Sequence, residues 1–321
     1  MNIKNPQSLK QRFKVIFMGT PEFSVPALTA LHKSRHEVAL VVTQPDRPRG
    51  RGRKLTPPPV RSAAEQMGYD VIQPESIRTD AFEKQMRRVA PDLFVVVAFG
   101  HILSNNLLEV PRIGAINIHA SLLPKYRGPA PIQWAIINGD GETGVTTMFM
   151  DEGMDTGDLL LSSKIAIRPD DTSTTLHDRL AVLGGDLIAK TLNAMETGDL
   201  TPTPQDNTRA TYSTLLKKED GRIDWKKPVE LLDAFIRGMT PWPGAFTFHD
   251  DKRLKIFSAK PIPMDVEDEP GTVIKSFPGE LRIATGKGVL SVLEIQAASG
   301  RRLPIKDFLK GSRMTPGTML R

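Results

Sequence analysis

The sequence predicts an α/β protein: a Rossmann-like, doubly wound and mainly parallel sheet, followed by a smaller C-terminal β-barrel of the OB-like type. Apolar strand-like runs alternate with amphipathic helical patterns through the first half of the 321 residues, which is the rhythm of βαβ units. One run, Leu93-Phe-Val-Val-Val-Ala98, is unbroken, as suits a parallel strand covered on both faces. In the last third, short apolar runs recur between turn residues, the pattern of a small barrel.

In order, strands are expected at 14–18 and 38–43, with helices near 24–33 and 60–67. The pattern resumes with a strand at 71–72, a helix carrying Phe82, Met86 and Val89 on one face, and the apolar strand at 93–98. In Gly114-Ala-Ile-Asn-Ile-His119, strand alternation sends Ile116 and Ile118 one way and Asn117 and His119 the other. Later strands fall at 145–150 and 158–167, and Leu176, Leu180, Leu183 and Leu187 line a long helix. The polar, Pro-containing stretch Thr201-Pro-Thr-Pro-Gln-Asp-Asn207 reads as a link. The organisation expected is a flexible tail at 1–12, a catalytic domain at 13–203, a linker at 204–213 and a barrel at 214–321, with a helix at 229–239 and strands at 245–248, 254–257, 271–274, 281–284 and 289–295.

Composition excludes several classes of chemistry. The chain has no cysteine, hence no disulfide, thiolate nucleophile or cysteine-ligated metal. Of the six histidines only His32 and His36 stand four residues apart, and no further histidine or cysteine flanks that pair, so no metal is expected. No apolar run approaches the roughly 20 residues a membrane helix requires, and the polar tail lacks the apolar stretch of a secretory signal. A soluble, cytosolic chain acting as a monomer is the expectation. The formal charge is +6, yet 46–54 alone holds five basic groups against one acid, and 211–321 holds 19 against 14. Cations gathered in one loop and one domain point to a polyanionic partner.

An Asn-x-His pair on one strand face puts an amide donor beside an imidazole, and strand ends in α/β domains are where ligands bind. Donors aimed at a carbonyl oxygen stabilise charge that develops there during attack by an amine. A nearby carboxylate can orient the imidazole and handle protons. The candidates are Asp151, Glu152, Asp155 and Asp158, and spacing does not choose among them. The first βα turn reads Met18-Gly-Thr-Pro-Glu-Phe23 rather than Gly-x-Gly-x-x-Gly, and no Gly-x-x-x-x-Gly-Lys-Ser/Thr occurs, which removes the best evidence for dinucleotide or triphosphate binding.

The strings Ser121-Leu-Leu-Pro-Lys-Tyr-Arg-Gly-Pro-Ala-Pro-Ile-Gln-Trp134 and Asp151-Glu-Gly-Met-Asp-Thr-Gly157, following Asn-x-His, resemble the folate-dependent formyltransferases. The resemblance extends from Gly19-Thr-Pro-Glu-Phe23 through Thr43-Gln-Pro-Asp-Arg-Pro48 to Ile223-Asp-Trp225 and Pro241-Trp-Pro243. It implies that Asn117, His119 and Asp155 are catalytic, and that Phe99, Gly100, Ile102, Ser121, Leu122, Leu123 and Pro124 bind the co-substrate 10-formyltetrahydrofolate. It further implies an initiator methionyl-tRNA as formyl acceptor, contacted by Arg47, Arg49, Arg51, Arg53 and Lys54; the five cations and two glycines of this loop themselves predict that it is mobile until an anion orders it. Lys217, Lys218, Lys226, Lys227, Arg301, Arg302, Lys306, Lys310 and Arg313 are candidates for phosphate contact. Relatives that formylate glycinamide ribonucleotide or amino-sugar nucleotides share the Asn-x-His core, and a catalytically silent RNA-binding protein is the rival from another class.

Overall fold

A computed structural model describes residues 12–49, 52, 54–275, 278–312 and 314–321; residues 1–11 of the expected tail, Arg51, Arg53 and Arg313 lie outside the described residues. The chain divides into two compact units. The first holds residues up to Gly128 with Gly144–Ile165 and His177–Tyr212; the second holds Pro129–Thr143, Ala166–Leu176 and Ser213–Arg321.

The first unit is built on β1 (Lys14–Gly19), α1 (Val25–Lys33), β2 (Glu37–Val42), a ribbon of β3 (Arg47–Arg49) and β4 (Lys54–Thr56), α2 (Pro59–Gln66), β5 (Val71–Ile72), α3 (Asp80–Val89), β6 (Leu93–Val97), α4 (Asn105–Leu108) and β7 (Gly114–His119). The chain then forms α5 (Pro131–Ile137), β8 (Glu142–Phe149), β9 (Leu159–Ala166) and α6 (Ser173–Thr197). The sheet order is β5-β2-β1-β6-β7-β8-β9. The first five of these strands run parallel and β8 runs antiparallel to β7. The chain winds outward from β1 through β2 to β5, then returns to β6 on the other side of β1, so direction switches between β1 and β6. Ligands of doubly wound sheets bind at the carboxyl ends of the strands beside such a switch.

Each element has its reason in the sequence. Every residue of β6 is buried, which is what an apolar run in a sheet covered on both faces must achieve. Helix α3 starts at Thr79, whose hydroxyl accepts from the Phe82 N–H at 3.2 Å, satisfying one of the amides that a helix start leaves without a partner. Asp80 and Glu83 lie in its first turn and Arg87 and Arg88 in its last, complementing the helix dipole. Its Phe82 and Met86 join Ile16, Met18, Leu40, Val42, Phe94, Val96 and Phe99 in the core. Among the described residues no helix is long and apolar enough to cross a membrane.

The second unit adds α7 (Val229–Met239), β10 (Ala245–His249), β11 (Lys252–Ile262), β12 (Val273–Lys275), β13 (Leu281–Ala284), β14 (Val289–Ala297), β15 (Leu303–Pro304) and α8 (Ile305–Gly311). Its antiparallel strands follow the order β10-β11-β14-β13-β12, with β15 beside β14. They curl around Trp225, Leu232, Ile236, Ile256, Ile283 and Val292, and the Trp225 indole donates to the Thr247 hydroxyl at 3.0 Å. The five-strand path is open. The end of the chain joins its two edges: the Val273 and Phe248 amides donate to the carbonyls of Thr318 and Arg321 at 2.8 and 2.7 Å. The expected barrel is thus a curled sheet sealed by its C-terminal residues.

Candidate active site

In the last residues of β7, polar Asn117 and His119 alternate with buried Ile116 and Ile118. Alternation put them on one face, and tertiary structure supplies the carboxylate. Asn117 Nδ2 lies 3.4 Å from Asp155 Oδ1, and His119 Nδ1 lies 3.5 Å from Asp155 Oδ2. The same Oδ2 accepts from the Gly128 N–H at 2.8 Å. Asn117, His119 and Asp155 therefore meet at the carboxyl end of the sheet.

The imidazole's other side is also occupied, with Nε2 2.8 Å from the Tyr126 carbonyl oxygen. A carbonyl can only accept, so Nε2 carries a hydrogen. Nδ1, facing the carboxylate, is the atom placed to exchange a proton with Asp155. The Asn117 amide has two N–H donors; one points towards Asp155, leaving the other for a ligand oxygen.

Two of the three competing carboxylates have other employment. Asp151 Oδ1 accepts from the Gly153 amide at 3.0 Å and the Thr156 hydroxyl at 2.7 Å, closing the turn that follows β8. Glu152 accepts from the Asn105 side-chain amide at 2.7 Å. The Asp-Thr-Gly string has a geometric meaning: Asp155 takes φ of 56°, and a Cβ on Gly157 would lie 1.9 Å from the Phe149 carbonyl oxygen. Only glycine lets the returning chain pass so close to β8.

The candidate co-substrate residues divide into surface and support. Val96 of β6 pairs with Asn117, so the segment after β6 leaves the sheet beside the site. There Phe99 is buried, and its carbonyl accepts from the Thr20 hydroxyl and the Gln44 side-chain amide, both at 3.1 Å. Gly100 has φ of 81°, and a Cβ there would meet Gln44 Nε2 at 2.4 Å. Ile102 is 77% exposed and forms part of the wall of a cavity of about 360 Å³ with Ile77, Arg78, Thr79 and Leu103. His101, edge-on to Phe99, has its pKa lowered by burial and by the charges of Arg47 and Arg78. Ser121 is fully buried and donates to the Lys125 carbonyl at 2.6 Å; Leu123 is buried, while Leu122 and Pro124 are half-buried. Gly100, Ile102, Leu122 and Pro124 are thus the members with surface for a ligand, and Phe99, Ser121 and Leu123 shape it from beneath.

The basic loop has a defined base. β3 pairs antiparallel with β4, Arg47 opposite Thr56 and Arg49 opposite Lys54. At its foot Asp46 accepts from Arg61 Nη1 at 2.8 Å and from the Gln73 amide at 2.7 Å. These hydrogen bonds, Gln73 first, hold its carboxyl below the usual range. Arg47 and Lys54 are exposed.

Sequence reasoning missed the support around the trio. Arg127 is 1% exposed, and its guanidinium donates to Gln205 Oε1 at 3.0 and 2.8 Å and to Asn207 Oδ1 at 2.8 Å. The Gln205 amide donates to the carbonyls of Asp155 and Gly157 at 2.9 and 2.8 Å. The Tyr126 amide donates to the Thr211 hydroxyl at 2.9 Å. The stretch from Gln205 to Thr211, expected as part of a linker, is thus bound along the first unit as a strap. The Arg-Gly step was the one visible signal of this; nothing in the spacing marked Gln205.

Among the described residues no group of histidines and carboxylates could hold a metal ion. A doubly wound sheet whose strand ends gather an amide, an imidazole and a carboxylate, followed by a curled antiparallel unit, is an arrangement of the α/β class able to stabilise charge on an oxygen and to move a proton. The chain belongs to the formyl transferase family: residues 11–192 match the formyl transferase model and residues 215–313 its C-terminal domain. It is 48% identical to the methionyl-tRNA formyltransferase of Geotalea daltonii over 307 residues, covering 96% of this chain and 98% of that protein. It is likewise 48% identical to the protein of the same name from Geobacter sulfurreducens over 308 residues, 96% of each chain. The fold is shared with an N-formyltransferase from Helicobacter canadensis solved with folinic acid and dTDP-3-aminofucose (TM-score 0.68, 18% identity, 91% of this chain and 100% of that one). It is also shared with HypX from Aquifex aeolicus in complex with tetrahydrofolic acid (TM-score 0.64, 18% identity, 95% and 49%).

Proposed function

We propose that this chain transfers the formyl group of 10-formyltetrahydrofolate to the amino group of initiator methionyl-tRNA, giving N-formylmethionyl-tRNA for the start of translation, and that it does so as a cytosolic monomer. The observation that carries the reading is the meeting of Asn117, His119 and Asp155 at the carboxyl end of β7. The amine nitrogen forms a bond to the formyl carbon while the carbonyl oxygen takes up negative charge. The bond from that carbon to folate N10 then breaks, and the proton lost by the amine goes to N10. Asn117 donates its remaining N–H to the charged oxygen, as a preorganised donor must. His119, held by Tyr126, pairs with Asp155 to carry the proton. Gly100, Ile102, Leu122 and Pro124 bound the folate.

Residues 13–203 carry the chemistry and 214–321 help hold the acceptor. The cations Arg47, Arg49, Arg51, Arg53 and Lys54 contact the acceptor stem. Removing one cation that neutralises a phosphate should lower the log–log salt slope of binding by about one. Arg47→Ala and Lys54→Ala are therefore expected to raise KM for methionyl-tRNA and flatten its salt dependence, with KM for formyl-folate unchanged. Equal salt slopes in variant and wild type would remove the ribbon from the acceptor site.

The deciding experiment gives the protein formyl-folate with methionyl-tRNA, free methionine, glycinamide ribonucleotide or a nucleotide-linked amino sugar. Product is expected with methionyl-tRNA alone. Preferred transfer to a small acceptor would overturn the acceptor assignment, and no transfer to any would leave an RNA-binding protein without this chemistry.

A further inference from the structure

We propose that Gln205 is a positioning residue for Asp155: one side-chain amide, locked by the buried Arg127, sets the main chain that aims the carboxylate at His119 and Asn117. The inference rests on the assignment of Asp155 to the reaction.

Asp155 sits in a left-handed conformation, φ 56°, which a non-glycine residue keeps only where its surroundings enforce it. Gln205 supplies that enforcement from fifty residues away in sequence. Its Nε2 donates to the carbonyls of Asp155 and Gly157 at 2.9 and 2.8 Å, on both sides of Thr156. Its Oε1 accepts twice from the Arg127 guanidinium. A neutral amide has two N–H donors and two acceptor positions, and here each is used. The orientation is therefore fixed: a flipped amide would turn its NH₂ against a guanidinium that is 1% exposed and can only donate. Arg127 is itself seated by Asn207 at 2.8 Å, and its backbone N–H donates to the Thr211 carbonyl at 2.9 Å. Its neighbours Tyr126 and Gly128 are the residues that touch the reacting groups, through a carbonyl on His119 and an amide on Asp155. One guanidinium–amide pair thus sets the relative position of the two loops that present Asp155 and hold His119. The contacts it governs are long enough, at 3.4 and 3.5 Å, that a small shift of the loop would break them.

The test is a double-mutant cycle in the transfer assay, with the intact chain, methionyl-tRNA and formyl-folate. Gln205→Glu keeps an oxygen that accepts twice from Arg127 but replaces the NH₂ group and its two donors by a second oxygen, which repels the carbonyls of Asp155 and Gly157. Because a displacement of about 1 Å can cost on the order of 10²-fold in rate, kcat should fall about 10- to 100-fold, with KM for both substrates little changed and the pH profile of kcat displaced. In an Asp155→Ala background the same change should cost nothing further, since residues acting through one group are not additive. Gln205→Met, which fills the space without polar atoms, is read by the same cycle should the glutamate variant not fold. Wild-type kcat in a folded Gln205 variant, or losses that multiply with Asp155→Ala, would overturn the proposal. A wild-type rate in Asp155→Ala alone would instead bring down the catalytic assignment beneath it.

Discussion

Two buried histidines lie at opposite ends of the same sheet, and their partners give them opposite properties. His119, 7% exposed, closes β7 at the carboxyl edge with an acceptor facing each ring nitrogen, the Tyr126 carbonyl and the Asp155 carboxylate. His36, 5% exposed, precedes β2 at the amino edge, where its Nδ1 accepts from the Phe13 backbone N–H at 3.2 Å and its ring stacks on Phe13 at 5.0 Å. Among the described residues its Nε2 is buried without a hydrogen-bond partner. The first ring faces two acceptors, the second a single donor. Burial alone does not set the two apart; the groups around each ring do. The proposed chemistry falls at the carboxyl edge, where the winding opens a crevice.

The largest effect expected from breaking this contrast is on rate. His119→Ala removes the ring between Tyr126 and Asp155, and kcat should fall about 10²- to 10⁴-fold, the contribution of a positioned group that carries a proton. His36→Ala should leave kcat within about twofold, since nothing at the amino edge of the sheet touches the trio, and should lower the temperature of unfolding instead. Steady-state transfer kinetics and thermal unfolding on both variants separate the roles. A His119→Ala enzyme within tenfold of wild type would make the two histidines equivalent and leave Asn117 and Asp155 as the whole site.

The sequence made the amide and the imidazole legible but not what holds them. β6 and the Asn-x-His face of β7 could be read because burial on both faces and period-two alternation leave a local pattern. The strands at 245–248, 254–257 and 281–284 emerged as β10, part of β11 and β13 for the same reason. Asp155 could not be told from Asp151, Glu152 and Asp158 by spacing; Asp151 closes a turn, Glu152 meets Asn105, and Asp155 accepts from the Gly128 amide. Gln205 was further out of reach. Its partners are 48 to 78 residues away in sequence, and a strap held by side-chain hydrogen bonds has no periodicity. The short helix α5 likewise gave too few turns to show a face. The C-terminal segment that joins the edges of the curled sheet went unread because it pairs backbone to backbone, Gly317 and Thr318 with Val273, where residue type leaves little mark.

The smallest effect is on stability against pH, and it tests the amino-edge histidine by itself. His36 has its pKa lowered from 6.5, by burial first; the nearby charge of Glu196 partly opposes this, and those of Arg35 and Arg12 add to it. Protonating Nδ1 would also set an N–H against the Phe13 N–H that it now accepts from. Because the folded chain resists a proton that the unfolded chain takes up at about 6.5, the unfolded state binds more protons below that pH. Stability is then full above it and declines as pH falls through it, levelling only once the folded ring is also charged. Denaturant unfolding at pH 8 and at pH 5.5 should show the decline in wild type. His36→Gln, whose side-chain oxygen can accept from Phe13 without titrating, should show less of it. Carboxylates elsewhere contribute to any acid destabilisation, so the variant carries the argument: an identical slope in His36→Gln would mean that His36 takes its proton as readily folded as unfolded, and that the two ends of the sheet do not treat their histidines differently.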